Sequence, residues 1–243
     1  MAHPRATLYH TWRWTELASA AFGMTVHRLA CTDDSGTLTG VLPLVEQRSI
    51  IAGRRLVSLP YVNYGGPLGD SPDTEQALIR QSLELAGQRG IATLELRDSM
   101  ARPMFTTRTD KVTVELTLPE NDEALGKVLG AKLRSQIRRS DREAPEVVSG
   151  GVDLLDEFYP VFAATMRDLG TPVYPRKFFR LVLERYASDC NLLVVRLRGQ
   201  AAAGATTATW RAASSAPNLR APVLPPPADK PNGAASAGRP IAA

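Results

Sequence analysis

The densest chemical signal in the chain is Ala131-Lys-Leu-Arg-Ser-Gln-Ile-Arg-Arg-Ser-Asp-Arg142, in which five of twelve side chains are cationic and Asp141 alone opposes them. In helical register Arg134, Arg138 and Arg142 recur at every fourth residue, flanked by Lys132 and Arg139. Leu129, Leu133 and Ile137 form a narrow apolar stripe on another face. Such a helix can dock its apolar side on a core and offer guanidinium forks to an anion, because planar Arg donors bind two oxygens of a carboxylate or phosphate at once. A solvated basic face accounts for the same run, and spacing alone leaves both readings open.

Other candidates are sparser. Asn63 and Tyr64 precede Gly65-Gly66, where a ligand could approach the backbone closely, although Gly and Pro serve tight turns first. Asp153, Asp156 and Glu157 are read as the acidic first turn of a helix, favoured by its dipole, rather than as an acid and base pair. No residue presents itself as a catalytic base. With only three histidines, His3, His10 and His27, all near the N-terminus, a His-based metal site or a Ser-His-Asp triad is disfavoured. Cys31 and Cys190 match no metal or redox spacing and are read as buried thiols of a reducing compartment.

The elements that must position these groups read as α+β with a mixed sheet. A helix over Thr11–Phe22 buries Trp14, Leu17 and Phe22 and stops at Gly23. Val26–Ala30 and Thr39–Val45 form a hairpin around Asp33-Asp-Ser-Gly36, and Arg55–Leu59 is a third strand. Asp73 or Thr74 caps a helix to about Gln88, and Ile91–Leu96 and Lys111–Leu118 alternate as strands. After Pro119-Glu120-Asn121-Asp122 a helical stretch leads into the basic helix. Gly150-Gly151 is a break, and Asp153 caps a helix to Asp168 that buries Leu154, Leu155, Phe158, Phe162 and Met166. Gly170–Pro175 is a connector, Arg176–Tyr186 a helix and Asn191–Arg198 a strand, with Gly199-Gln200 as the turn of a hairpin. From Ala205 the chain turns to Ala, Thr, Ser, Pro and Gly, which cannot bury enough apolar area to offset ordering entropy. A disordered tail and an out-of-frame C-terminus both account for that change.

Composition sets the outer bounds. The 243 residues are 44% hydrophobic and 22% charged, as in an ordinary soluble globular protein. A net charge of +4 is too mild to imply duplex DNA as a partner and fits a basic groove for an anionic substrate. The N-terminus lacks an apolar signal core and no later run is long enough to span a bilayer, so the expected location is cytoplasmic.

Several stretches together resemble the FemAB-like branch of the GNAT acyltransferase superfamily, and specifically the FemAB proteins associated with the PEP-CTERM/exosortase (XrtA) system. They are Gly40-Val-Leu-Pro-Leu44, Tyr64-Gly-Gly-Pro67, Lys132-Leu-Arg134 with Arg138-Arg139, Met166-Arg-Asp-Leu-Gly-Thr-Pro-Val-Tyr-Pro175 and Val194-Val-Arg-Leu-Arg-Gly199. The resemblance runs from near residue 3 to about residue 204. It implies tandem GNAT-like domains packed across a cleft: a first over 1–120 lacking its opening strand, and a basic helix with the start of a truncated second over 121–204. A disordered or out-of-frame segment follows over 205–243, where members of the family carry further strands and a Phe-Asp-Phe-Gly-Arg-like segment. It implies transfer of an acyl or aminoacyl group to an amine of a cell-envelope or exopolysaccharide-related substrate, with aminoacyl-tRNA as donor. A catalytically silent GNAT-like fragment and a basic RNA- or anion-binding module are the alternatives. Lys132, Arg134, Arg138 and Arg139 would hold substrate phosphates. Arg167 would bind a substrate anion, pair with Asp168 or tie down the Gly-Thr-Pro turn; Tyr174 would donate to a carbonyl or oxyanion, or simply pack. A CoA-dependent GNAT enzyme needs a glycine-rich pyrophosphate loop opening a helix. Arg198-Gly-Gln-Ala-Ala-Ala lacks its central glycine, so acetyl-CoA is not supported and no cofactor is assigned.

Overall fold

The computed structural model describes residues 3–49, 53–108 and 114–208. Helix α1 (Trp12–Phe22) starts where the Thr11 hydroxyl accepts the Trp14 N–H and ends at Gly23, whose φ of 66° needs no Cβ. Strands β1 (Thr25–Thr32) and β2 (Leu38–Ser49) pair antiparallel. The Asp33 carboxylate closes their turn by accepting from Ser35 Oγ and N and from Thr37 N. Strand β3 (Gly53–Val57) pairs antiparallel with β2, and the two-residue β4 (Leu68–Gly69) pairs with the start of β2. Helix α2 (Pro72–Gln88) then crosses over, so that β5 (Thr93–Glu95) lies parallel to β3. The order is β1-β2-β3-β5, a mixed sheet.

Two expectations for this half are corrected. The cap of α2 is Ser71, whose hydroxyl accepts from Thr74 N, with Pro72 in the first turn where its missing N–H costs nothing. The alternating segment 111–118 is not a strand where it can be seen. Residues 111–113 lie outside the described residues, while 114–118 carry no strand and Val114 is 84% exposed. Alternation makes a strand only when a sheet edge receives its backbone.

The second half opens with α3 (Asp122–Val128), capped by Asn121, and α4 (Gly130–Asp141), entered through Gly130 at φ 71°. Strand β6 (Glu146–Gly150) follows, then a 3-10 turn and α5 (Leu155–Asp168). Helix α6 (Arg176–Arg185) and the hairpin of β7 (Cys190–Leu197) and β8 (Gln200–Ala208) complete it. Strands β6, β7 and β8 form an antiparallel sheet. Asp153 does not cap α5; it sits in the 3-10 turn and accepts from Gly151 N. The turn between β7 and β8 places Arg198 and Gly199 at φ 53° and 76°, as a tight hairpin requires.

β8 explains part of the low-complexity composition. At Gly204 an added Cβ would stand 2.7 Å from the Phe158 ring, so α5 packs directly on a strand of small residues. The expected start of the tail at 205 therefore falls inside β8, and residues 209–243 lie outside the described residues.

One apolar core runs through both halves. Leu8, Trp14, Leu17, Val45, Leu59 and Val62 meet Leu155, Phe158, Phe162, Phe178, Phe179, Val182 and Leu192. Trp14 lies 5.7 Å from Tyr186 and 6.3 Å from Phe178, ring centre to ring centre. The Thr11 and Tyr186 hydroxyls are 3.0 Å apart, and Arg13 donates to the Arg185 carbonyl. A smaller cluster of Leu42, Leu44, Leu56, Leu78, Ala86 and Ile91 fills the space under α2.

Candidate functional site

The basic helix is solvent-exposed along its length. No residue of α4 is buried, and the stripe read as a docking face stays open, with Leu133 41% and Ile137 44% exposed. That part of the expectation is corrected: no core covers the stripe of α4. Its cations are correspondingly available. Among the described residues none of Lys132, Arg134, Arg138, Arg139 and Arg142 pairs with a carboxylate. Arg134 donates to the Gly126 carbonyl at 2.6 Å, and Arg138 reaches the Arg134 carbonyl at 3.4 Å. The result is a helix face of positive charge with free donors.

Arg167 lies at the exposed end of α5 and pairs loosely with Asp168 at 3.9 Å; its own carbonyl accepts the Gly170 N–H that stops the helix. Tyr174 is half-buried among Tyr61, Phe162, Phe178 and Phe179, with its ring 5.1 Å from that of Tyr61. Burial raises its phenol pKa above the ordinary value, while the charge of Arg97 pulls the other way. The acidic residues before and within α5 are structural. Asp156 pairs with Arg176, and Glu157 takes Arg196 through both oxygens at 2.8 Å.

Arg97 leads to a cleft of about 130 Å³, one wall of which holds Tyr64 and Gly66 of the turn where the sequence allowed a close ligand approach. Strands β3 and β5 run parallel, and the loops leaving their carboxyl ends, 58–67 and 96–99, form two of its walls. Ligands of open sheets favour that position because backbone groups and side chains converge where strands stop. Ser58 ties the walls together, its N–H donating to Glu95 O and its hydroxyl accepting from Arg97 N, while Gly65 N donates to Arg97 O. Gly66 must be glycine, since a Cβ there would stand 2.8 Å from the Asp98 carboxyl carbon.

The third wall is the N-terminal segment. His10 Nε2 donates to the Gly66 carbonyl and Nδ1 accepts from Thr7 N, while His3 Nε2 meets the Gly69 carbonyl at 3.1 Å. Burial pushes the His10 imidazole down to about 4, so it is neutral and both ring nitrogens are committed. His10 is thus a strap and not a base. Beneath it Arg5 and Arg102 alternate with Glu75 and Asp98 in a ring of ion pairs, Arg102 reaching Asp98 at 2.7 Å and Glu75 at 2.8 Å. The legible signal would have been the polar run Arg97-Asp98-Ser99 just beyond the end of a strand.

Among the described residues there is no group of three or more His, Cys, Asp or Glu able to hold a metal, and no helix long and apolar enough to cross a membrane. Arg198-Gly199, the nearest approach to a CoA loop, is the β7–β8 turn, followed by a strand rather than a helix N-terminus.

The acetyltransferase (GNAT) domain family matches residues 131–216, a span that takes in nearly all of α4 and everything from β6 to β8. No curated protein matches the chain. Among solved structures, the crystal structure of FemX superposes with a TM-score of 0.52 at 17% sequence identity, covering 81% of this chain and 54% of FemX. The chain thus spans about half the length of that protein, and the likeness is one of fold.

Proposed function

We propose that the chain is a FemAB-like N-acyltransferase, cytoplasmic, which passes an acyl or aminoacyl group to an amine of a cell-envelope or exopolysaccharide-related substrate. The observation that carries this reading is the GNAT domain match over 131–216, supported by the FemX-like fold. Acyl transfer to an amine needs reactants held in line, an acceptor for the amine proton and donors at the developing oxyanion. Lys132, Arg134, Arg138 and Arg139 suit the first requirement. Among the described residues none of them pairs with a carboxylate, and all but the half-buried Arg134 are exposed, so that one helix can clamp the phosphates of aminoacyl-tRNA or of a nucleotide-linked acceptor. Arg167 adds a further exposed guanidinium on the same half, and Tyr174 a phenol beside Arg97. No catalytic base is assigned.

The test is transfer from labelled aminoacyl-tRNA, and separately from acyl-CoA, to a nucleotide-linked peptidoglycan precursor bearing a free amine. Turnover should depend on the tRNA donor, and Arg138→Ala with Arg139→Ala should raise KM by roughly ten-fold or more, about 1.5–3 kcal/mol of charge-assisted hydrogen bonding. Salt-dependent RNA binding without any turnover would instead support the basic binding module.

A further inference from the structure

The loop leaving β3 holds two bulky residues in the left-handed region, Leu59 at φ 59° and Tyr61 at φ 69°. Such conformations cost on the order of 1–3 kcal/mol each and persist only where packing imposes them. Here it does: Leu59 is fully buried, and the Tyr61 ring packs 4.6 Å from Phe22 and edge-on 5.1 Å from Tyr174, centre to centre. The strained turn delivers Tyr64 and Gly66 to the cleft opposite Arg97 and Ser99.

Three donors around that cleft have no protein acceptor among the described residues. Arg97 commits Nε to Glu95 and Nη1 to the Val62 carbonyl, which locks the guanidinium plane and leaves Nη2 free. The Tyr64 and Ser99 hydroxyls are the other two. The carboxylates that also line the cleft are engaged: Asp98 with Arg102, Arg5 and Met100 N, and Glu115 with an interaction of its own. Asp98 and Glu115 repel a doubly charged phosphate more strongly than a singly charged carboxylate, and the three donors are what the cleft offers to an incoming acceptor oxygen. At about 130 Å³ the space is close to that of a cavity of about 150 Å³ that admits benzene, so it takes a group of about six heavy atoms.

We propose that this cleft binds the carboxylate end of a small molecule or peptide, with Arg97, Tyr64 and Ser99 donating to its oxygens. The cleft lies outside residues 131–216, so its ligand does not depend on whether the chain transfers acyl groups.

The experiment is an amide-resolved NMR titration of the full chain with N-acetylglycine, with its uncharged isostere N-acetylglycinamide, and with inorganic phosphate. Saturable binding of the acid is expected at Kd on the order of 1 mM, with shifts at Gly66 and Arg97–Ser99 and at least about ten-fold weaker binding of the amide. Tyr64→Phe and Ser99→Ala, which remove one oxygen each and leave the walls intact, should each weaken the acid by about three- to ten-fold. Arg97→Gln should abolish binding, with an unchanged melting curve showing that the fold survives. Equal binding of acid and amide, tighter binding of phosphate, shifts confined to α4, or wild-type affinity in Tyr64→Phe and Ser99→Ala would each overturn the assignment.

Discussion

At the scale of single residues, His10 shows how a group that resembles a catalyst can be wholly structural. Its two nitrogens strap Gly66 to Thr7, and burial holds its pKa near 4 against an ordinary 6.5. The folded state thus binds the proton less readily than the unfolded chain. This contribution to stability is complete above pH 6.5 and is lost as pH falls toward 4, by about 3 kcal/mol in all. Chemical denaturation between pH 7 and 4 should show that decline, and His10→Gln, which cannot take up the proton, should flatten it. Equal slopes in the two proteins would contradict the strap. The sequence revealed the histidine but not its role, because its partner is a backbone carbonyl 56 residues away. Cys190 differs: its burial was legible, and burial pushes its thiol up to about 12, where it is inert.

At the scale of elements, periodicity was informative wherever a partner surface exists. Helix α5 buries Leu155, Phe158, Phe162 and Met166, and the 3-10 turn before it buries Leu154, as the spacing implies. Helix α4 has the same kind of stripe and buries none of it. A 3.6-residue repeat describes what a helix can cover, not whether anything is there to be covered. The contrast is measurable. Leu155→Ala should cost about 2–5 kcal/mol, whereas Leu133→Ser and Ile137→Ser should each stay within about 0.5 kcal/mol of wild type by urea denaturation. A large loss from either α4 substitution would mean the stripe is packed in solution. β6 and the far end of β8 were missed for related reasons. β6 is five residues ending on Gly150, and β8 is made of small residues because Phe158 lies against its backbone at Gly204. Neither carries the bulky alternation by which strands are recognised.

At the scale of the whole molecule, the two halves separated by sequence punctuation near Pro119 are joined by one core. Trp14 and Leu17 of α1 pack with Phe178 and Val182 of α6, and Val45 and Leu59 of the first sheet belong to the same cluster as Leu192 and Val194 of the second. The halves should therefore unfold together. Calorimetry is expected to give a single transition with matching calorimetric and van't Hoff enthalpies, and Trp14→Ala should lower it by about 3–5 kcal/mol without splitting it. Two resolved transitions would show instead that the halves are independent. The α+β class and the GNAT likeness were legible because they rest on local motifs. The shared core was not, and of the cleft at the ends of β3 and β5 only the Tyr64-Gly65-Gly66 turn was, because the rest depends on contacts made across the chain.

The central claim is acyl transfer to an amine, and the most direct measurement is the intact mass of the acceptor. A nucleotide-linked peptidoglycan precursor with one free amine would be incubated with wild-type protein and a single charged aminoacyl-tRNA. A mass increase equal to one aminoacyl residue, absent when the amine is blocked and strongly reduced in Arg138→Ala with Arg139→Ala, is the predicted result. An unchanged acceptor mass across the aminoacyl-tRNA and acyl-CoA donors, from protein shown by calorimetry to be folded, would contradict it.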